Sequence, residues 1–423
     1  MKTILLKNGQ ILNATGALVP QDLLIRGEQI EQMAPEIEAI ADEVIDLQKK
    51  FISPGLIDMH VHLREPGFEE KETLETGSKA AARGGFTTIA CMPNTRPPLD
   101  HLSLIQELLK KAEQLAITRI LPIPAMTMGM KGETLTDFRA FKKAGLLGVT
   151  DDGYGVQHED VMRAAFYLAR ECSIILMQHC EFCDLSNGGV FHEGPIAQLK
   201  GVKGISSASE FKMIERDLVL VRETGVHYHV LHVSTAESVA LIRQAKKEGL
   251  PVTAEVTPHH LLLCDEDIPG VDTNFKMNPP LRSYQDRLTV LQGLRDGTID
   301  IIATDHAPHT ESEKERNVYE APFGIVGLET AFPLLYTHLV LKKLMSLKEL
   351  LAKITTAPAR IFNLPYGTLE PKGIADITVI DLEQERPVNP RTFLSKSKNT
   401  PFQSWRLRGW PVMTFHRGRK VWG

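Results

Sequence analysis

The chain has 423 residues, of which 43% are hydrophobic and 24% charged, and its formal net charge is −5. This length suits a barrel of about 250–300 residues with an accessory part. The acidic balance, without basic clusters interleaved with aromatic residues, argues against a nucleic-acid partner. No apolar run reaches about eighteen residues and the first residues turn polar quickly, so we expect neither a membrane span nor a signal peptide.

Cysteine usage indicates the redox compartment. The five cysteines are Cys91, Cys172, Cys180, Cys183 and Cys264. They lie in apolar or mixed runs, which is typical of free thiols in a reducing compartment. Cys180 and Cys183 form a single CxxC without a second pair, so a structural zinc or redox role is the less favoured interpretation. We therefore predict a cytoplasmic protein.

Both ends of the chain show short alternating runs that predict small antiparallel strands. The predicted strands are Thr3–Leu6, Asp22–Ile25, Glu43–Leu47, Asp376–Ile380, Trp405–Leu407 and Met413–His416. Arg417-Gly418-Arg419 predicts a hairpin turn before Lys420–Trp422. Because the ends that flank an inserted domain usually lie close together, residues 1–51 and 365–423 are predicted to form one composite β-sandwich.

The middle of the chain, residues 52–364, alternates apolar runs with longer segments of helical spacing. The apolar runs lie near residues 56–62, 86–92, 119–126, 146–150, 173–179, 226–233, 251–257 and 299–304. Leu102–Ala116, Asp160–Glu171 and Ala236–Glu248 are predicted helices. Continuous apolar runs are typical of parallel strands buried on both faces. Eight such units predict a (β/α)₈ TIM barrel. A doubly wound open sheet is the alternative.

Residues at the ends of these strands are the candidates for chemistry, because barrel active sites lie at the carboxyl ends of the strands. The first run ends with His60-Val61-His62. Histidines two residues apart on a strand point to the same face, which suits two imidazoles on one metal ion. A chance pair of histidines is the alternative when this motif is taken alone.

Four further runs also end in aspartate or histidine, and together they strongly favour a metal site. Their ends are Thr150-Asp151-Asp152-Gly153, Met177-Gln178-His179, Leu231-His232-Val233 and Thr304-Asp305-His306. Imidazoles and carboxylates without thiolates suit Zn²⁺, with Mn²⁺ or Co²⁺ as substitutes. Four histidines and two aspartates suffice for two ions, which would activate a water and polarise an amide carbonyl. Asp305 is the predicted general base, and it would later protonate the leaving nitrogen.

The remaining histidines of the barrel have other predicted roles. His227 and His229 have the opposite strand parity to His232, so they are expected to face the helices. For His259 and His260, near the mouth after the seventh run, a structural role is favoured over ligation. His309 either contacts substrate or has no role in the site, and the residues alone leave both possibilities open.

Several motifs resemble those of a known family, in the same order along nearly the whole chain. Pro54–His62, with Leu63-Arg64-Glu65-Pro66-Gly67 after it, resembles the first metal motif of the amidohydrolase superfamily, and the arginine is similar to that of the dihydroorotases. Met92-Pro93-Asn94-Thr95, the segments around His179 and His232, and Ala303–His309 match as well. As a set, these motifs are highly specific.

The resemblance implies a role for each matching residue. It implies that His60, His62 and Asp305 bind one zinc ion and that Asp152, His179 and His232 bind the other. It also implies that the substrate α-carboxylate is bound by Arg64, Asn94, Asn278 and His309, and that backbone groups of Phe323 and Gly324 face the pyrimidine ring. A guanidinium fork suits a carboxylate. The charged segment 310–322 is expected to be a mobile lid.

The fourth strand end distinguishes subgroups of the superfamily. Many relatives bridge two metals with a carbamylated lysine, but Thr150-Asp151-Asp152-Gly153 contains none and resembles the bacterial dihydroorotases that use aspartate. Strand parity alone leaves open whether Asp151 or Asp152 is the ligand. The missing lysine argues against hydantoinases and allantoinases, and Arg64 and Asn94 favour a substrate with a free carboxylate.

The implied reaction is the reversible cyclisation of N-carbamoyl-L-aspartate to L-dihydroorotate in pyrimidine synthesis. An alternative from another class is an inactive homologue that supports aspartate transcarbamoylase. Such relatives are expected to lose metal ligands, whereas all six candidates are present here. A homodimer, and an active enzyme that docks to the transcarbamoylase, are expectations from the family alone.

Overall fold

Eighteen strands and fourteen α-helices make up the protein, and the computed structural model describes all 423 residues. The strands are β1 (Thr3–Leu12), β2 (Leu18–Arg26), β3 (Gln29–Ala34), β4 (Glu43–Asp46), β5 (Phe51–Pro54), β6 (Leu56–Val61), β7 (Phe86–Cys91), β8 (Arg119–Pro122), β9 (Gly148–Val149), β10 (Ile175–Gln178), β11 (Phe191–His192), β12 (Gly204–Ile205), β13 (Tyr228–Val230), β14 (Val252–Val256), β15 (Ile301–Ile302), β16 (Ile377–Pro387), β17 (Arg406–His416) and β18 (Arg419–Trp422).

The helices fill the connections between the barrel strands and cover the outside of the barrel. They are α1 (Leu74–Arg83), α2 (Leu102–Leu115), α3 (Phe138–Lys143), α4 (Glu159–Cys172), α5 (Cys183–Ser186), α6 (Pro195–Leu199), α7 (Ala208–Thr224), α8 (Ala236–Lys247), α9 (Pro258–Leu262), α10 (Tyr284–Arg295), α11 (Glu311–Lys314), α12 (Ala331–Leu335), α13 (Leu347–Ile354) and α14 (Thr356–Ile361). The three helices predicted from apolar spacing correspond to α2, α4 and α8, with ends within one residue. No helix is both long and apolar enough to cross a bilayer.

A mixed sheet joins the two ends of the chain. Its strands run in the order β18-β17-β16-β5-β1-β2-β3, and β4 pairs in parallel with β1. Strand β5, which leads into the barrel, pairs with C-terminal β16 in antiparallel register. Apolar residues from both ends, such as Leu6, Ile25 and Phe415, share one buried cluster. The ends therefore meet as the sequence predicts, while the domain limits 1–51, 52–364 and 365–423 stay a prediction.

One detail of this sheet differs from the sequence prediction, and another confirms it. The predicted strands Trp405–Leu407 and Met413–His416 are not separate, because Arg406, Leu407 and Met413–His416 all belong to β17, whose register against β16 is interrupted. Gly409 in the middle of β17 has a φ of 82° and explains why the pattern looked broken. The predicted hairpin is present, and Arg417 and Gly418 both have positive φ, as a tight two-residue turn requires.

Eight parallel strands form the predicted barrel. Their hydrogen-bonded order is β6-β7-β8 and β15-β14-β13-β10-β9. Parallel bridges between Ala125 and Thr150, and between Val61 and His306, join the two groups into a closed ring. Each of the eight apolar runs contains one of these strands, so the open-sheet alternative is wrong.

The interior of the barrel is filled by side chains. Ile57, Met59, Met177 and Ile301 pack there with Phe362, which follows α14. The opposite faces of the strands pack against the helices in the largest buried cluster. With one end filled by apolar side chains, the polar strand ends gather at the other, as in barrel enzymes generally.

Candidate active site

The His-x-His motif lies at the end of β6 with both rings in one buried cluster. The ring centroids of His60 and His62 are 5.4 Å apart. His62 Nε2 lies 3.0 Å from Asp305 Oδ1, and His60 Nε2 lies 3.4 Å from Asp152 Oδ1. Residues from the first, fourth and last barrel strand ends therefore meet at one point, as the sequence predicts.

The structure separates the two aspartates that follow β9. Asp151 accepts hydrogen bonds from the backbone N–H groups of Met126 and Thr127, at 2.8 and 3.0 Å. These bonds tie β9 to the segment after β8. The Asp152 carboxylate turns instead into the histidine cluster, so only Asp152 is available to a metal ion there.

His179 and His232 complete the cluster. His179 Nδ1 lies 2.9 Å from His232 Nε2 and 3.7 Å from Asp152 Oδ1. His232 follows β13 with a φ of 32°. This left-handed conformation is uncommon for a residue other than glycine, and such strain is frequent at functional sites. All six predicted ligand residues thus lie together.

The polar atoms of this cluster fit a metal ion. Two groups, His60-His62-Asp305 and His60-Asp152-His232, have ligand atoms within 4.8 Å of one another. His60 Nε2 and Asp152 Oδ1 are buried and form no hydrogen bond, although unpartnered buried polar atoms are costly. Imidazole nitrogens and carboxylate oxygens are the donor set of catalytic zinc sites.

The charge state of Asp305 suits proton transfer. Burial would raise the pKa of its carboxyl group, but the neighbouring His62, His60 and His232 outweigh burial and lower that pKa below its usual range. Asp305 is therefore ionised at neutral pH and can accept a proton. Its φ of 47° is again in the left-handed region.

A pocket of about 170 Å³ opens beside the cluster. It is lined by His62, Arg64, Asn94, Asp152, Gly153, His179, His232, Asn278, Asp305, Ala307, His309, Phe323 and Gly324. All six residues that the resemblance assigns to the substrate are present, and so are five of the six candidate ligands. The sixth ligand, His60, is fully buried behind them. Gly153 and Ala307 are the lining residues that sequence reasoning missed.

Arg64 provides the positive charge of the pocket. Its guanidinium is buried, donates from Nε to Pro308 O at 3.1 Å, and lies 3.1 Å from His309 Nε2 through Nη2. The carboxylates of Asp305 and Asp152 act on this buried cation through space, and its contacts within the protein are to a carbonyl and an imidazole. Burial and the nearby Arg64 lower the pKa of His309 to about 3, so His309 is neutral. The arrangement is suited to an anionic group supplied by a ligand.

Asn94 links the two halves of the site. Its Oδ1 lies 2.8 Å from Nδ1 of His62 and fixes the orientation of that ring. The Nδ2 group of Asn94 is thereby directed away from His62, and its one protein contact is a 3.5 Å approach to Asp152 O. Asn94 can therefore orient a candidate metal ligand and still donate to a substrate.

Two glutamates that sequence reasoning missed, the buried Glu255 and the partly buried Glu181, support the histidines. Glu255 of β14 lies 2.6 Å from His60 Nδ1. Glu181 lies 3.0 Å from His179 Nε2 and accepts from Asn278 Nδ2 at 2.7 Å. Burial would raise the pKa of Glu181, but His179 and Asn278 bring it down to about 2. Carboxylates that hold the second nitrogen of a histidine ligand are common in metal sites.

The remaining histidines have mixed outcomes. The prediction that His229 faces the helices is wrong, because its Nε2 lies 3.2 Å from Glu255 and its ring packs on Phe362 inside the barrel. His227 lies on the same inward face, where its Nε2 contacts Thr253 Oγ1 at 2.8 Å. Parity failed because the positive φ of His232 turns its side chain inward as well. His260 bonds Thr257 and Pro279 O, as a structural role requires.

Comparisons with known proteins decide between the families that share this arrangement. The Dihydro-orotase-like family model matches residues 49–238. A dihydroorotase of Geobacillus sp. (strain WCH70) is 54% identical over 420 residues, which cover 99% of this chain and 98% of that protein. A dihydroorotase of Bacillus pumilus is 53% identical over 418 residues, with the same shares covered. The chain belongs to the dihydroorotase family.

Solved structures of related enzymes share the whole architecture. The L-hydantoinase (dihydropyrimidinase) from Arthrobacter aurescens superimposes with a TM-score of 0.89 at 27% identity, covering 100% of this chain and 96% of that one. The D-hydantoinase from a Thermus species gives 0.85 at 27% identity, covering 99% and 95%. The barrel with its mixed terminal sheet is therefore common to dihydroorotases and hydantoinases, while the higher sequence identity is to dihydroorotases.

Proposed function

We propose that this member of the dihydroorotase family interconverts L-dihydroorotate and N-carbamoyl-L-aspartate with zinc at the histidine and aspartate cluster. The main observation in support is the buried, unpaired guanidinium of Arg64 in the same small pocket as that cluster. A ring that bears a carboxylate gives Arg64 an anionic partner, whereas a simple hydantoin does not. The hydantoinase alternative is therefore disfavoured.

In this proposal, six residues hold the zinc. His60, His62 and Asp305 would bind one ion, and Asp152, His179 and His232 would bind a second. The mutual approach of these side chains and the unpartnered His60 Nε2 support the assignment. Zinc, when bound, lowers the pKa of a water and polarises an amide carbonyl.

The protein's own groups then orient the substrate and move the proton. Arg64 and Asn94 bind the carboxylate of dihydroorotate, with Asn278 and His309 beside them, and the backbone of Phe323 and Gly324 faces the ring amides. In ring opening, Asp305 accepts the proton of the attacking water and delivers it to the departing ring nitrogen. In cyclisation, the same carboxylate takes that proton back from the nitrogen.

The wider setting of the enzyme is part of the proposal. All five cysteines are free, which supports a cytoplasmic location. A homodimer and a complex with aspartate transcarbamoylase remain predictions. An inactive supporting homologue is disfavoured, because all six candidate ligands gather in the cluster.

The proposal is tested by replacing Asp305. Asp305→Asn keeps the size of the side chain but cannot accept the proton, so we expect dihydroorotate ring opening to fall by about 10²–10⁴-fold. The exposed Asp184 provides the matched control, Asp184→Asn. Turnover is followed by ultraviolet absorbance, and zinc is measured in each sample by mass spectrometry. Full activity in Asp305→Asn, or no turnover by zinc-loaded wild type, would contradict the proposal.

A further inference from the structure

Two lysines next to the active site are buried without a carboxylate partner. Lys276 is 1% exposed and Lys314 5% exposed, and every hydrogen bond of the two ammonium groups goes to a backbone carbonyl. Burial of an unpaired ammonium is costly unless its hydrogens are bonded. Lysines in such surroundings therefore need an explanation, and their contacts supply one.

Lys276 binds the far part of residues 310–324, the segment that ends at the pocket. Its Nζ donates to Val318 O at 2.6 Å and to Ala321 O at 2.5 Å, with Tyr319 O at 3.4 Å. The same ammonium lies 4.3 Å from the ring centroid of Phe323, within cation–π range. One side chain from the barrel loop thus fixes four residues of the 310–324 segment.

Lys314 binds the segment from inside. It is the last residue of α11, and its Nζ donates to Pro322 O at 3.0 Å, Gly324 O at 3.1 Å and Lys276 O at 3.3 Å. The backbone N–H of Gly324 also donates to Lys276 O at 2.9 Å. Backbone carbonyls therefore satisfy the hydrogen-bonding needs of both ammonium groups. These carbonyls belong to the 310–324 segment and to Lys276, the two parts of the chain that meet where the segment closes.

This closure determines the shape of the substrate pocket. Phe323 O lies 2.8 Å from His309 Nε2, and Phe323 and Gly324 line the pocket. Gly324 has a φ of 126°, and a Cβ there would come within 2.6 Å of Ala307 Cβ. Asn278, two residues after Lys276, also lines the pocket, so Lys276 sets the distance between the loop and Asn278.

We propose that Lys276 and Lys314 are positioning residues that hold the 310–324 segment closed, so that the backbone of Phe323 and Gly324 is in place for the substrate ring. The part that concerns substrate rests on the proposed function, whereas the closure does not. The lysines act through the carbonyls that they bind and touch no reacting atom. Loss of either lysine should therefore weaken substrate binding more than it slows the proton transfer at Asp305.

The test uses Lys314→Met, which keeps an unbranched side chain one atom shorter and removes the ammonium group. Lys314 belongs to a four-residue helix outside the barrel, so the variant tests the loop even if Lys276→Met fails to fold. The exposed Lys110 supplies the control, Lys110→Met. Hydrogen exchange of peptides from residues 310–324 is measured on the full-length protein without substrate. We expect exchange of this segment to rise at least about tenfold in Lys314→Met only.

Kinetics give the second readout. For zinc-loaded Lys314→Met we expect the KM for dihydroorotate to rise at least about tenfold while kcat changes less, because ground-state and transition-state contacts to the ring are lost together. Unchanged exchange in the 310–324 segment overturns the proposal, and so does faster exchange with an unchanged KM. If wild type does not turn over dihydroorotate, the proposed function fails, while the exchange experiment still decides the closure.

Discussion

Replacing Arg64 by lysine tests the origin of substrate selectivity. The guanidinium uses Nε and Nη2 for Pro308 and His309, so Nη1 and the remaining N–H of Nη2 are left for a ligand. A lysine keeps the charge but loses this fork. The loss of one charge-assisted hydrogen bond costs about 1.5–3 kcal/mol. This free energy corresponds to a decrease in kcat/KM of roughly ten- to hundredfold.

The effect should appear mainly in KM, because the carboxylate of dihydroorotate is bound alike before and during the reaction. Steady-state kinetics of ring opening measure it, with zinc content determined on the same samples. Arg406→Lys is the control, since Arg406 is exposed and pairs only with Glu385. A variant Arg64→Lys with unchanged KM, or one that loses only kcat, would refute the assignment of the carboxylate to Arg64.

Two further predictions concern carboxylates that support other groups. Glu181→Gln should bind zinc about 10–100-fold more weakly in a competition with a chromophoric chelator, because His179 loses its charged acceptor; equal affinity would contradict this role. Asp376 pairs with Arg119 at 2.8 Å and His416 at 2.9 Å. Burial opposes ionisation of the Asp376 carboxyl group, but these two partners outweigh burial and lower its pKa. The ionised carboxylate therefore stabilises the folded protein at pH values above the pKa of the unfolded chain, about 4, and this contribution is lost at lower pH. Asp376→Asn should therefore lower the melting temperature at pH 7, by a difference that shrinks below about pH 4, and a pH-independent difference would contradict this reasoning.

The parts of the fold and site that could be predicted depend on local signals. Buried parallel strands require continuous apolar runs, so all eight barrel strands were recognisable. A His-x-His pair at a strand end needs only the two-residue period, which places His60 and His62 on one face. The carboxyl ends of parallel strands lie at the same end of a barrel, and this geometry was enough to predict that Asp305 lies close to His62.

The residues that could not be predicted depend on contacts distant in the sequence or on unusual backbone angles. Glu255 is an acid inside an apolar strand, and only the closure of the barrel, with β15 between β14 and β6, brings it to His60. The orientation of His227 and His229 was wrongly predicted, because His232 reaches the site through a positive φ, which alternation along a strand cannot reveal. In the sequence, Lys276 and Lys314 resemble ordinary surface lysines, and they are buried only because of the path of the 310–324 segment.

A crystal structure of the zinc-loaded Asp305→Asn variant with L-dihydroorotate, with diffraction data collected across the zinc absorption edge, would test the central claim most directly. We predict anomalous peaks within about 2.0–2.2 Å of ligand atoms of the five remaining candidate ligands, His60, His62, Asp152, His179 and His232. The substrate carboxylate should lie on Arg64 and Asn94, and its ring amide should face the 310–324 segment. Zinc bound elsewhere, or a carboxylate that does not contact Arg64, would contradict the account.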